Sequence, residues 1–272
     1  MAAIRRRVAH LRQHGATPDT HLAAVFNGTA WSTVRSAKIT TRGGAAKSGS
    51  SRDHAIADLA WIAFFFLLQP GEYCAGGTDT VTTPFTLRDI QFFVGNQPFQ
   101  ATTASAPTCA ATTFVNLLFR TQKNGFNGES IGHGATGHPR ACAVAAIRLR
   151  VAHRRQHGAT PDTHLAAVFN GTAWSTVRSA KITTALRVAT TTMGPQVGFT
   201  PEDISAQSMR AGGAMDLLMA RVNTDTIGLV GRWSSNVMLR YIHTTAQTFT
   251  EGLGSRMVQN GDYLLIPPAH GD

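Results

Sequence analysis

One forty-residue segment occurs twice. Ala2–Thr41 reads AAIRRRVAHLRQHGATPDTHLAAVFNGTAWSTVRSAKITT, and Ala145–Thr184 reads AAIRLRVAHRRQHGATPDTHLAAVFNGTAWSTVRSAKITT. The copies are offset by 143 residues and differ at two positions, Arg6 against Leu149 and Leu11 against Arg154. Solenoid repeats diverge more and come in series. A single near-identical pair points to a recent duplication, a chimeric gene or a misassembled one. A folded domain has one slot for such a segment. The second copy lies between elements it can pack against, so it is expected to take the slot. Residues 1–41 are then expected to be loose or weakly docked, and residues 42–52, with TRGGAAKSGSSRD around them, to act as a flexible joint.

Periodicity and punctuation outline the rest. Asp53–Leu68 is apolar enough for a buried helix, broken at QPGE because Pro70 and Gly71 do not continue it. Pro84–Gly95 alternates like a strand, and Thr112–Gly125 reads as a second strand ending in an Asn-Gly turn. Asn127–Arg140 is rich in Gly and His and reads as a loop. Pro139 then opens a helix through Ala145–Gln156. Leu186–Met193 is predicted helical. Thr200 is a predicted N-cap with Pro201 at the first helical position. SMRAGGAMDLLMARV reads as a buried helix whose Gly212 and Gly213 permit close backbone contact. NTDTIGLVGRW reads as a short helix capped by Asn223 or Thr224. Helices dominate, with a small sheet early in the chain.

The chain has 272 residues, a formal charge of +10 and 43% hydrophobic content. That is long enough for a sizeable core. The positive excess favours a polyanionic partner. Three cysteines (Cys74, Cys109 and Cys142) without a CxxC pair argue for a reducing compartment. LAWIAFFFLL (Leu59–Leu68) is too short to span a bilayer, so no membrane partner is expected.

Several tempting motifs fail on spacing. GGAAKSG (Gly43–Gly49) lacks the phosphate-loop pattern, and HGATGHP does not match a dinucleotide fingerprint, so no nucleotide cofactor is expected. His133, His138 and Cys142 lack a fourth ligand at usual spacing, so no metal is expected. A more coherent set is spread along the chain: LLQPGEY (Leu67–Tyr73), RTQKNG (Arg120–Gly125) with Lys123, SAQSMRAGGA (Ser205–Ala214) with Arg210, then Trp233 and Tyr241.

In that order, these residues resemble the catalytic domain of tyrosine recombinases, the phage-integrase superfamily, especially the copies carried by eukaryotic mobile elements. The resemblance covers residues 53–250, leaving 251–272 as a tail. It is most specific over SMRAGGAMDLLMARVNTDTIGLVGRWSSNVMLRYIH. It implies an α+β fold, mostly α, with a small antiparallel sheet. It also implies double-stranded DNA as partner, self-association on that DNA, an intracellular location with DNA (the nucleus in a eukaryote), and no cofactor. By the same resemblance Tyr241 is the nucleophile that forms a 3′-phosphotyrosyl link. Lys123 is the acid, Arg210 a phosphate clamp and Trp233 a hydrogen-bond donor to the phosphate. Phosphate contacts are expected from Arg88, Arg120, Arg148, Arg154, Arg155, Arg178, Lys181, Arg187 and Arg240.

This chain departs from the family pattern in four places. Gln69 occupies the slot of the family's first arginine, and Gln207 that of the histidine in H-x-x-R. The Trp233-to-Tyr241 spacing is one residue shorter than is common. The upstream DNA-clamp domain is expected to be lacking, since residues 1–52 are mostly the duplicate. Guanidiniums clamp a phosphate bidentately, and glutamine brings no charge. The expectation is therefore an impaired strand transferase. A DNA-binding remnant without catalysis is the alternative, and a decayed product with no selected role a third.

Overall fold

The computed structural model describes residues 51–74, 82–122, 125, 127–138, 141–193 and 200–233. The first repeat copy, the phosphate-loop-like stretch, Lys123, Arg240, Tyr241 and the tail lie outside the described residues.

Within them the protein is α+β, with a helical body and a small antiparallel sheet. Helix α1 (Ser51–Phe65) starts two residues before the expected boundary. It is apolar on nearly every face, which suits only a buried helix. Ala55, Leu59, Ile62 and Ala63 are all fully buried. QPGE does more than break this helix. Pro70 opens a second, four-residue helix, α2 (Pro70–Tyr73), where its missing N–H costs nothing.

Leu87–Asp89 forms a short 3-10 turn where alternation suggested strand. Strands β1 (Ile90–Val94) and β2 (Gln97–Gln100) follow as a hairpin, and Gly95 supplies the positive φ at its turn. Pro98 sits within β2, which is tolerable because β2 is an edge strand. Beyond α3 (Ala106–Ala111), β3 (Phe114–Phe119) pairs antiparallel with β1 and with β4 (Glu129–Gly134), giving the order β2-β1-β3-β4. The register sets Phe119 opposite Glu129 and Val115 opposite His133.

Strand β4 corrects the loop reading of residues 127–140. Its composition hides it, because ESIGHG lacks β-branched density. Gly132 has a packing reason instead: a Cβ there would collide with the side chains of Phe114 and Asn116.

Helix α4 (Ala143–Gln156) packs on α1, capped by the Cys142 sulfur accepting from the Ala145 N–H at 3.4 Å. The second repeat copy supplies all of α4 after its first two residues, the hairpin β5 (Ala167–Phe169) and β6 (Trp174–Thr176), and the start of α5 (Ser179–Met193). Arg154 is 0% exposed. It donates to the carbonyls of His164 (2.9 Å), Arg150 (2.7 Å) and Ala167 (3.1 Å), and Arg150 also donates to Ala167. These bonds fasten β5 to α4.

A 3-10 turn (Pro201–Asp203) leads to α6 (Ser208–Met219) and α7 (Thr224–Gly231), the latter capped by Asn223. Helix α6 crosses α1 at Gly213, where a Cβ would collide with the Phe64 carbonyl oxygen and the Leu67 side chain. Among the described residues, no helix is long and apolar enough to cross a membrane.

Gly213→Ala would normally gain about 1 kcal/mol of helix propensity. Here the backbone collision is expected to outweigh that gain, giving a net loss of about 1–3 kcal/mol in urea unfolding. A stabilised variant would contradict the close crossing.

His153 gives a pH dependence. Its Nε2 accepts from the Phe169 N–H at 3.3 Å, so the neutral ring is the one that fits. Burial first, then the charges of Arg150, His157 and Arg154, push its pKa down from 6.5 to about 4. Between those values the unfolded chain binds more protons than the folded one. Stability is therefore expected to fall as pH drops through 6.5 and to keep falling toward about 4. His153→Gln should flatten that slope in thermal melts, measured as a difference from the parent.

Candidate functional site

Three separate parts of the chain meet at the carbonyl end of α1. Phe66 and Leu67 follow α1, and Leu67 adopts a left-handed conformation (φ 49°) that turns the chain toward α2. The Leu67 carbonyl oxygen accepts from Arg210 at 3.1 Å and from Arg232 at 3.4 Å. Arg210 sits in the first turn of α6, and Arg232 just beyond the end of α7.

Arg210 is 9% exposed. Its other terminal nitrogen donates to the Gly231 carbonyl, and its guanidinium carbon lies 4.5 Å from the centre of the Trp233 ring. A cation over an indole face is held by the ring quadrupole. Gly231 is required here because a Cβ at that position would run into the Trp233 ring. The expected clamp and the expected aromatic donor are therefore in direct contact.

Position 69 joins them through α2. Gln69 is the N-cap of α2, and its N–H donates to Glu72 Oε2 at 2.6 Å. Glu72 is buried and accepts from Arg232 Nη2 with both oxygens, at 3.0 and 2.9 Å. Gln207 is the N-cap of α6, exposed, with no side-chain capping bond. Its neighbour Ala206 is tied to α2, where the Tyr73 hydroxyl donates to the Ala206 carbonyl at 3.2 Å. Arg210 and Trp233 are thus in contact, and the backbone at 69 and beside 207 is tied to them through α2.

Lys123 lies outside the described residues, but the base of its loop is defined. The Gly128 N–H closes on the Phe119 carbonyl at 2.8 Å. Gln122 donates to Glu129 at 2.9 Å. The Phe119 ring lies 3.8 Å beneath the Arg232 guanidinium, so the end of β3 reaches the same cluster.

Tyr73 is fully buried, and desolvation, then the charges of Cys74 and Glu72, push its pKa well above the ordinary phenol value. That makes Tyr73 a poor nucleophile and a good tether. Arg232 is pulled down by burial and pulled back by the Glu72 charge and hydrogen bond.

The expected phosphate contacts fare unevenly. Arg154 is corrected: a guanidinium with no exposed surface that is spent on three carbonyls reaches no phosphate. Arg120 is committed to buried Asp89, at 2.7 and 2.9 Å. Arg88 is exposed and pairs with Asp162 at 2.9 Å. Arg187 donates to the Ile204 and Glu202 carbonyls, at 3.1 and 3.4 Å. Arg155 is exposed and donates to the Cys109 sulfur at 3.5 Å. Arg178 and Lys181 are exposed at the start of α5, and Arg148 is half-buried on α4.

Sequence reasoning overlooked Arg232 and gave Glu72 no role. The pattern Gln-Pro-Gly-Glu was a signal for Glu72, since an acid at the third helical position can reach back to the N-cap. Arg232 stood out only as a charge at the end of an apolar helix.

Among the described residues, no three His, Cys, Asp or Glu side chains gather as a metal site. No protein-family model matches the chain, and no curated protein matches it.

Tyr73→Phe removes one buried bond and leaves the Ala206 carbonyl without that donor. The expected loss is about 1–2 kcal/mol in urea unfolding. No loss would mean that the tether contributes nothing.

Proposed function

We propose that the chain is a tyrosine-recombinase-like DNA strand transferase whose catalytic set has been weakened at two positions. One observation carries this reading. Arg210 and Trp233, 23 residues apart in sequence, stack on each other beside the turn that holds position 69. A helical body with a small antiparallel sheet agrees with an integrase-like catalytic domain, and the +10 charge agrees with a DNA partner.

In the reaction, the Tyr241 oxygen attacks the phosphorus of a DNA phosphodiester as its phenol proton passes to solvent water. The bond to the 5′ oxygen breaks, Lys123 supplies that oxygen with a proton, and a 3′-phosphotyrosyl link remains. Charge gathers on the non-bridging oxygens, where Arg210 and Trp233 donate. Gln69 offers a hydrogen bond without charge, and Gln207 cannot serve as acid or base. Losing an arginine that steadies a transferring phosphoryl costs about 10³–10⁵ in rate. Losing an acid–base group costs about 10²–10⁴, and the two need not multiply.

A second reading, a DNA-binding remnant without catalysis, draws on the same two glutamines and on Arg210 being engaged by two backbone carbonyls.

The test restores both positions in the full chain, as Gln69→Arg with Gln207→His, and offers a nicked duplex. The expected result is a covalent protein–DNA adduct that Tyr241→Phe abolishes. The parent should form about 10³-fold less adduct, or none. Salt-sensitive duplex binding with no adduct from the restored protein would favour the remnant. No binding at low salt would remove DNA from the account.

A further inference from the structure

We propose that Arg232 is the positioning residue of this site: it sets Trp233 against Arg210 and ties both to the turn at position 69 and the end of β3. The inference rests on the reading that Arg210 and Trp233 handle a phosphate, and it adds a residue whose work is done through others.

The geometry is unusual for an arginine. Arg232 caps α7 in the left-handed region, at φ 56° and ψ 43°. Glycine is the ordinary occupant of that position, because a Cβ there crowds the following carbonyl. An arginine held in that conformation needs compensation from its side chain. Arg232 finds it by turning back into the protein, where the residue is 7% exposed. Nη1 donates to the carbonyls of Phe66 (3.1 Å) and Val230 (2.9 Å). Nη2 reaches Leu67 and both oxygens of Glu72. The flat of the guanidinium covers Phe119.

Each contact leads to a different piece of the site. Glu72 holds the N–H of Gln69. Leu67 shares its carbonyl with Arg210. Phe119 ends the strand that leads toward Lys123. The backbone of Arg232 itself sets its neighbours: Gly231 offers its carbonyl to Arg210, and Trp233 lies on Arg210. A lysine keeps the charge but has no planar fork to span these acceptors. It would satisfy Glu72 and leave the rest slack.

The test uses the full chain carrying Gln69→Arg and Gln207→His, labelled with 5-fluorotryptophan. The Trp233 resonance is assigned by Trp233→Phe. Arg232→Lys is compared with Glu72→Gln, which keeps size and removes charge, and with Val151→Ala, a core truncation on α4. Arg232→Lys is expected to shift or broaden the Trp233 fluorine signal while the Trp61 and Trp174 signals stay in place. It should slow single-turnover adduct formation by about 10²-fold, because small misplacements of aligned groups cost that much. Duplex affinity should not change. Glu72→Gln should act in the same direction, and Val151→Ala should lower stability without moving the Trp233 signal. If the Trp233 signal stays put in both Arg232→Lys and Glu72→Gln, the positioning role is overturned. It is equally overturned if Arg232→Lys forms adduct as fast as the doubly restored protein that keeps Arg232. If the signal moves but no adduct ever forms in the restored protein, the positioning stands and the strand-breaking reading falls.

Discussion

The buried ion pair between Glu72 and Arg232 is the contact on which the arrangement of the site depends. Taking two charges out of water costs several kcal/mol per ion, and their attraction repays it only with good geometry and further hydrogen bonds. Those bonds are present: Gln69 donates to the carboxylate, and Phe66, Leu67 and Val230 accept from the guanidinium. Such a pair adds little net stability. Its effect is on uniqueness, because a shifted α2 or a relaxed α7 terminus would strand a charge in the interior. The four-residue helix α2 is too short to hold its shape alone. Glu72 on one side and Tyr73 on the other fix it between the end of α7 and the start of α6.

A second set of buried cations works differently. Arg150 and Arg154 lie between α4 and β5, and Asp58 on α1 is the acid whose charge both feel. Burial pulls Arg150 down to about 10 and Arg154 well below its ordinary range. Their partners on the hairpin side are carbonyl oxygens. β5 has three residues and one strand neighbour, so the sheet alone fixes it weakly. Guanidiniums reaching through the core supply what a longer ladder would have supplied.

Much of the fold was legible because it was written in local chemistry. The apolar run of α1, the Asn223 cap of α7 and the Gly212–Gly213 pair of α6 each announce a helix and its neighbour. The alternation that produces β1 and β3 is equally plain. Strand β4 was not legible, because Gly132 answers to Phe114 and Asn116 across the sheet rather than to local propensity. At the site, Arg210 and Trp233 could be singled out by residue type and order. Arg154 could not be separated from surface arginines, since its burial depends on carbonyls ten and thirteen residues away. Arg232 was hidden for the same reason: its partners lie about 160 residues upstream.

The two differences between the repeat copies carry unequal weight once Leu149 and Arg154 are placed. Leu149 is 53% exposed, so the arginine found at the matching upstream position would sit comfortably in water. Arg154 is enclosed, and the matching upstream residue is Leu11, which donates nothing to the hairpin. Gene conversion that overwrote the downstream tract with the upstream one would therefore carry one silent exchange and one that unfastens β5. Of the two positions at which the copies differ, only 154 is therefore under constraint from the fold.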